Sequence, residues 1–385
     1  MVRRMRPSSA EATTDSFLRP ALAGAAATFS GIGLARFAYV PLFPAMVGAG
    51  WISGAEGGFL GAVNLSGYLA GVLGGRRLAM RVGTAAALDL GLALAALSFA
   101  AGAWNGGLTW LALWRAGAGV AGGILMALAG PAVQGAVPPA KRGAAGGVVL
   151  AGVGTGVIVG SLAVPLVLPA GVSDAWLALA VVVTAMWAFA HPRWPRVPVA
   201  IPEPAEVRPR VGPLFLAYGL SGAGMVPHMV YFVDLAVRGR GLDATTGSLT
   251  WLLFGAGAIA GTLLSGRAAD RLGAARALQI WLAVQSCGVA LALVPGTALL
   301  APAAFVGAFG GVGITASALA RTRELAGPAA AGAIWVRGTA VYAIAQAGVG
   351  FALTALFART GTHDALFIAG LVLSLAGLAV ALKRS

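Results

Sequence analysis

Long apolar runs alternate with short polar connectors along the whole chain. A helix needs about 20 mostly apolar residues to cross the hydrocarbon core of a bilayer. Twelve such runs occur, at 21–47, 54–75, 84–102, 108–134, 144–169, 175–190, 213–237, 244–265, 277–294, 298–320, 331–357 and 365–382. They predict twelve membrane-spanning helices, because a helix satisfies its own backbone hydrogen bonds where no water is at hand. The longest polar interruption, 191–212, reads HPRWPRVPVAIPEPAEVRPRVG and is rich in proline and charge. It predicts a linker. The expected organisation is an N-terminal segment 1–20, a six-helix bundle 21–190, the linker 191–212 and a second six-helix bundle 213–385. The predicted fold class is therefore all-α membrane protein, two bundles of six.

Composition agrees. The 385 residues are 59% hydrophobic and 10% charged, with a mean hydropathy of +0.87. A typical soluble domain is about 45–50% apolar and about 25% charged. This balance excludes an ordinary soluble enzyme, a disordered chain and a secreted disulfide scaffold, the last also because Cys287 is the lone cysteine. Three histidines are too few for a metal cluster to be expected, and no cofactor is expected. Arg3, Arg4 and Arg6 precede the first apolar run in the manner of a signal peptide. That run is longer than a signal peptide's apolar core, so it is expected to be retained.

The formal charge is +14, which by itself points toward nucleic acid. Its distribution points elsewhere. With the N-terminus placed inside, 20 of the 26 Lys and Arg fall on inner segments. Only Arg238, Arg240 and Arg359 fall outside, and Arg36, Arg115 and Arg337 lie within spans. This is the positive-inside asymmetry, and it predicts both termini in the cytoplasm of a bacterial plasma membrane. Trp51, Trp104, Trp110, Trp176 and Trp251 fall near outer span ends and Trp194, Trp281 and Trp335 near inner ends, the expected aromatic belts.

A shift of 190 residues relates the halves. It superimposes Gly67 on Gly257, Gly71 on Gly261, Arg77 on Arg267, Arg81 on Arg271, Gly83 on Gly273, Gly123 on Gly313 and Gly171 on Gly361. Two parallel six-helix repeats form a transporter architecture, with the binding site at mid-depth between them.

Several segments carry a family resemblance. Gly266-Arg-Ala-Ala-Asp270-Arg271-Leu-Gly273-Ala-Ala-Arg276 resembles the cytoplasmic loop signature of the major facilitator superfamily. The first-half copy holds Arg76, Arg77 and Arg81, with Met80 where the family usually has Asp. Arg115-Ala-Gly-Ala-Gly119 resembles the family's helix-four motif, which is associated with proton coupling. Gly31-Ile-Gly33-Leu-Ala-Arg36-Phe-Ala-Tyr39-Val-Pro41-Leu-Phe-Pro44 and Asn64-Leu-Ser-Gly67-Tyr68 resemble the YbfB/YjiJ-type permease branch. The resemblance implies rocking of the halves about a central site. It makes Arg77, Arg81, Asp270, Arg271 and Arg276 an inner gate, and it implies that spans one, two, seven and eleven line the cavity.

Polar residues inside lipid mark the candidate site, because a charge at the bilayer centre costs at least about 2.5–3.5 kcal/mol on insertion scales. The expected substrate contacts are Arg36, Tyr39, Asn64, Tyr68, Arg115, His228, Tyr231, Arg337, Tyr342 and Gln346. A cation in lipid can equally be held by an acid or by helix carbonyls, and Arg337 is close enough to an interface to snorkel. Asp234, Arg115 and Glu56 are the candidates for proton coupling. Gly57, Gly61, Asn64, Tyr68 and Gly71 share one helical stripe, and Gly338, Tyr342, Gln346 and Gly350 share another; close helix packing is the alternative reading of their glycines.

The match to GxGxxG at 117–122 lies in a spanning run, not after a strand, so it signals packing, not a dinucleotide site. No catalytic triad, zinc-protease or phosphate-loop motif appears, so neither an enzyme nor an ATP-driven pump is expected. The function expected is secondary transport, by a monomer, of a small anionic or polar organic solute with proton coupling. The alternative is a proton-driven drug or metabolite exporter. A receptor or scaffold would call for a sizeable soluble domain.

Overall fold

The computed structural model describes residues 9–195 and 210–383, with backbone only at 9–16, 328 and 329. Most of the expected linker and the basic residues Arg3, Arg4 and Arg6 lie outside the described residues. Among the described residues, twelve helices are long and apolar enough to cross a membrane. They are α1 (Phe17–Gly48), α2 (Gly54–Val82), α3 (Thr84–Gly102), α4 (Gly107–Ala136), α5 (Pro139–Ala170), α6 (Val172–Arg193), α7 (Gly212–Gly239), α8 (Ala244–Leu272), α9 (Ala274–Ala292), α10 (Leu300–Gly327), α11 (Ala330–Thr360) and α12 (His363–Leu382). Each contains one of the twelve apolar runs or nearly all of it.

The repeat is visible in the backbone. Gly83 and Gly273, matched by the 190-residue shift, end α2 and α8 with φ of 88° and 84°, a conformation that costs glycine little and other residues much. The shared glycines are also seam residues. A Cβ on Gly67 would enter the Ala116 carbonyl of α4, and one on Gly257 would enter the Phe305 carbonyl of α10. Gly71 and Gly261 meet the same two partner helices one turn further on. Close backbone approach through small residues is how helices associate when lipid supplies no hydrophobic drive between them.

Two spans are broken, at positions the repeat also relates. α1 runs through a π-helical stretch, Phe29–Leu34, and a turn at 35–38 before resuming at Tyr39–Gly48. α7 is interrupted at Met225, between Gly224 and Val226. Adding 190 to 35 gives 225, so both breaks sit at one depth. The sequence pattern predicts continuous helices here. The breaks accompany Gly31, Gly33 and Pro41 in one half and Gly224 and Pro227 in the other, residues that weaken or interrupt helical hydrogen bonding.

The aromatic belt needs correction. Trp251, expected at an interface, is completely buried between the halves, stacked on Phe254 at 3.9 Å and donating to the Phe37 carbonyl. Trp176, Trp281 and Trp194 are also buried, and the last two spend their indole N–H on Gly261 and Asp89. Trp104 alone of those named is well exposed. Proximity to a span end does not say which way a ring points.

Candidate functional site

The seam between the halves passes through the two breaks. At the α1 break, the Ala35 carbonyl accepts from Arg115 Nη1 of α4 at 2.9 Å and from Asn64 Nδ2 of α2 at 3.4 Å. Asn64 also donates to the Arg115 carbonyl at 3.0 Å. The Arg115 guanidinium lies 4.2 Å from the centre of the Tyr39 ring, and the Tyr39 hydroxyl donates to the Gly57 carbonyl at 2.8 Å. Arg115, Asn64 and Tyr39 therefore lock the interrupted helix to its neighbours, and Arg115 meets carbonyl oxygen and an aromatic face rather than an acid.

Arg36 sits one residue beyond Ala35 and reaches across the seam. Its Nη2 donates to Gln346 Oε1 of α11 at 2.6 Å and approaches Met229 Sδ of α7 at 3.6 Å. Gln346 Nε2 completes the triangle, 3.2 Å from Met229 Sδ. The guanidinium is flanked by the rings of Tyr68 at 5.2 Å and Phe37 at 5.6 Å. Arg36 is only 8% exposed. Among the described residues, no carboxylate lies within ion-pair distance of Arg36 or Arg115. Two guanidiniums thus lie buried within the spans with no carboxylate partner among the described residues. Beside this centre, Tyr342 stacks on Tyr218 at 4.4 Å, Tyr218 packs on Trp335 at 5.3 Å, and the Tyr218 hydroxyl bonds Thr315 at 3.2 Å.

On the side of the α1–α2 turn, opposite the chain termini, the seam is closed. Tyr231 of α7 packs edge-on to Phe43 of α1, and a Cβ on Gly58 of α2 would overlap its hydroxyl. Gly61 makes room for Val230, and Gly54 for Arg238 and Phe357. Asp234, fully buried, holds Arg238 through two bonds of 2.5 and 2.6 Å and His363 of α12 at 2.7 Å. The hydrogen bonds and ring contacts that join the halves among the described residues all lie at mid-depth or toward this closed side. On the other side, Arg77, Arg81, Asp270, Arg271 and Arg276 are exposed and take part in none of the five ion pairs of the described residues.

The expected site residues therefore separate. Arg36, Tyr68 and Gln346 form one centre, with Tyr342 beside it. Tyr39, Asn64 and Arg115 brace it from behind. Tyr231 and Asp234 belong to the closure. His228 faces away from the seam, its Nε2 on the Ala303 carbonyl at 3.3 Å and its ring against Phe232 and Phe367. Glu56 closes a capping box with Ser53 at the start of α2. Arg337 is on an exposed face of α11 and joins none of these contacts. Met229, Phe37 and Trp251 were not anticipated at the seam. Being apolar or aromatic in an apolar run, they carry no signal, apart from the coincidence of Met229 lying one residue after His228 in the interrupted span.

The pattern for the "uncharacterised MFS-type transporter YbfB" matches residues 28–381. The chain belongs to this family of major facilitator superfamily transporters. It is accordingly a multi-pass membrane protein and a secondary transporter. No curated protein matches it by sequence. Its fold is similar to that of a D-xylose–proton symporter, with a TM-score of 0.68 at 15% identity over 95% of this chain and 97% of that one. It is also similar to the xylose transporter XylE from E. coli in a partially occluded inward-open conformation, with a TM-score of 0.71 at 15% identity over 97% of both chains. At that identity the likeness speaks for the fold alone.

Proposed function

We propose that this transporter moves a small organic anion, or a polar solute bearing an anionic group, by alternating access between its two six-helix halves. Arg36 carries this reading. It lies buried on the seam, bridges to the opposite half through the neutral Gln346 and Met229, and has no acidic partner among the described residues. A guanidinium in such a place is costly unless something pairs with it, and its planar fork suits a carboxylate or phosphate. Tyr68 and Tyr342 flank the same space with hydroxyls that complete recognition of a polar solute.

Movement follows from the asymmetry of the seam. Closure by Phe43, Tyr231 and the Asp234–Arg238–His363 cluster on one side, with the basic loops disengaged on the other, supports a state open toward the termini. The positive-inside pattern makes that side the cytoplasm. Reversal brings Arg77, Arg81, Asp270, Arg271 and Arg276 together. Proton coupling enters through Asp234, whose protonation would loosen its grip on Arg238 and His363 and release the outer closure.

Uptake into proteoliposomes tests this across a panel of carboxylates, sugars and lipophilic cations, with and without a proton gradient. The expected result is uptake of one carboxylate or anionic solute class, enhanced by the gradient and lost in Arg36→Gln. Transport confined to lipophilic cations and indifferent to Arg36 would overturn it.

A further inference from the structure

Arg115 has a second side. While Nη1 serves Ala35, Arg115 also lines a cavity of about 10 Å³ inside the first bundle, whose apolar wall includes Met46 and Phe99. Three further polar side chains line the same cavity: Ser98 of α3, Trp114 of α4 and Trp176 of α6. The four atoms Arg115 Nε, Ser98 Oγ, Trp114 Nε1 and Trp176 Nε1 are all buried and all lack a protein partner. Ser98, Arg115 and Trp176 are 3%, 4% and 3% exposed.

The chemistry of the set is one-sided. Guanidinium and indole N–H groups only donate, and a serine hydroxyl can donate as a fourth. One donor belongs to a cation that has no carboxylate within ion-pair distance among the described residues. A space of this size suits one small occupant. A water would bring two hydrogens of its own and find only the Ser98 lone pairs among these four groups to receive them. A small spherical anion accepts from all four and compensates the guanidinium at once. We propose that this cavity is a halide site, occupied by chloride, distinct from the central site at Arg36. The ion neutralises Arg115 and so steadies the α1 break that Arg115 supports, without being the transported solute.

The test is equilibrium binding of radiolabelled chloride to the purified full-length protein in detergent, with gluconate as the balancing anion. The thermal unfolding midpoint is followed in the same series. One saturable site is expected, with a midpoint that rises with chloride. Trp176→Phe keeps the ring against Phe99, 5.6 Å away, but deletes the N–H; it should weaken binding about tenfold or more, since bonds to charged groups are the strong ones. Trp114→Phe is the second variant should the first fail to fold, with the same expectation. Arg36→Gln should leave chloride affinity within about twofold. Absence of saturable binding would show that the cavity holds water only and would overturn the proposal. So would affinity untouched by both Trp→Phe changes, or binding abolished by Arg36→Gln, which would place the ion at the central site.

Discussion

Replacing Arg36 by glutamine separates a ligand-binding charge from a structural one. The substitution removes a cation but retains a shorter polar side chain. On the binding side, a hydrogen bond to a charged group is worth about 1.5–3 kcal/mol, so affinity for an anion should fall roughly ten- to hundredfold at about 1.4 kcal/mol per decade. On the folding side, two effects oppose. The variant loses the charge-assisted bond to Gln346 at 2.6 Å, about 1.5–3 kcal/mol. It also loses weak attraction to the Tyr68 and Phe37 rings at 5.2 and 5.6 Å, about 0.5–2 kcal/mol. Against this, it no longer holds an uncompensated charge in lipid, a saving of about 2.5–3.5 kcal/mol. The terms offset to within about 2.5 kcal/mol, which for a chain of this size moves the unfolding midpoint by only about 3 °C. The expected result is uptake reduced at least tenfold at subsaturating solute with a nearly unchanged midpoint and yield. A structural arginine would give the reverse: a large fall in midpoint, with residual uptake tracking the amount of folded protein. Either that pattern or wild-type uptake of every solute refutes the assignment.

Three other substitutions probe the two ends of the seam. Gly58→Leu places side-chain atoms where the Tyr231 hydroxyl lies; it should hold the outer side apart and slow turnover at least tenfold, with Thr354→Cys in that background becoming reactive to an impermeant maleimide added outside, and unchanged labelling would count against the closure described. Asp234→Asn strands Arg238 and His363, which should lower the unfolding midpoint by the equivalent of about 1–3 kcal/mol, the usual cost of leaving hydrogen-bonding partners unsatisfied; a midpoint within 1 °C of the parent would show that the cluster does not hold the ends together. Asp270→Asn alters an exposed residue outside the five ion pairs of this state, so stability should stay within about 0.5 kcal/mol while turnover slows and substrate affinity does not; unimpaired turnover removes Asp270 from the inner gate.

Hydropathy along the chain sufficed for the twelve crossings, and the 190-residue shift for the division into like halves. Both rest on local physics: a bilayer demands about 20 apolar residues per crossing, and a duplicated bundle repeats its glycines wherever helices meet closely. Intramembrane charge was equally legible, because the penalty that makes Arg36 and Arg115 conspicuous depends on depth, which sequence position sets. What each charge does was decided only by folding. Arg36 and Arg115 carry the same group at similar depth, yet one bridges the halves and the other braces the Ala35 carbonyl within its own half. Asp234 stood out as an acid toward the outer end of its span, but its partner His363 lies 129 residues away. The helix breaks at 35–38 and 225 turn two ordinary apolar spans into the walls of the seam, and Trp251, expected at an interface, is buried in it. Hydrophobicity has no direction along a helix that is apolar on every face, so the rotation of each helix, and with it the meeting of side chains hundreds of residues apart, is settled only when all twelve pack against one another.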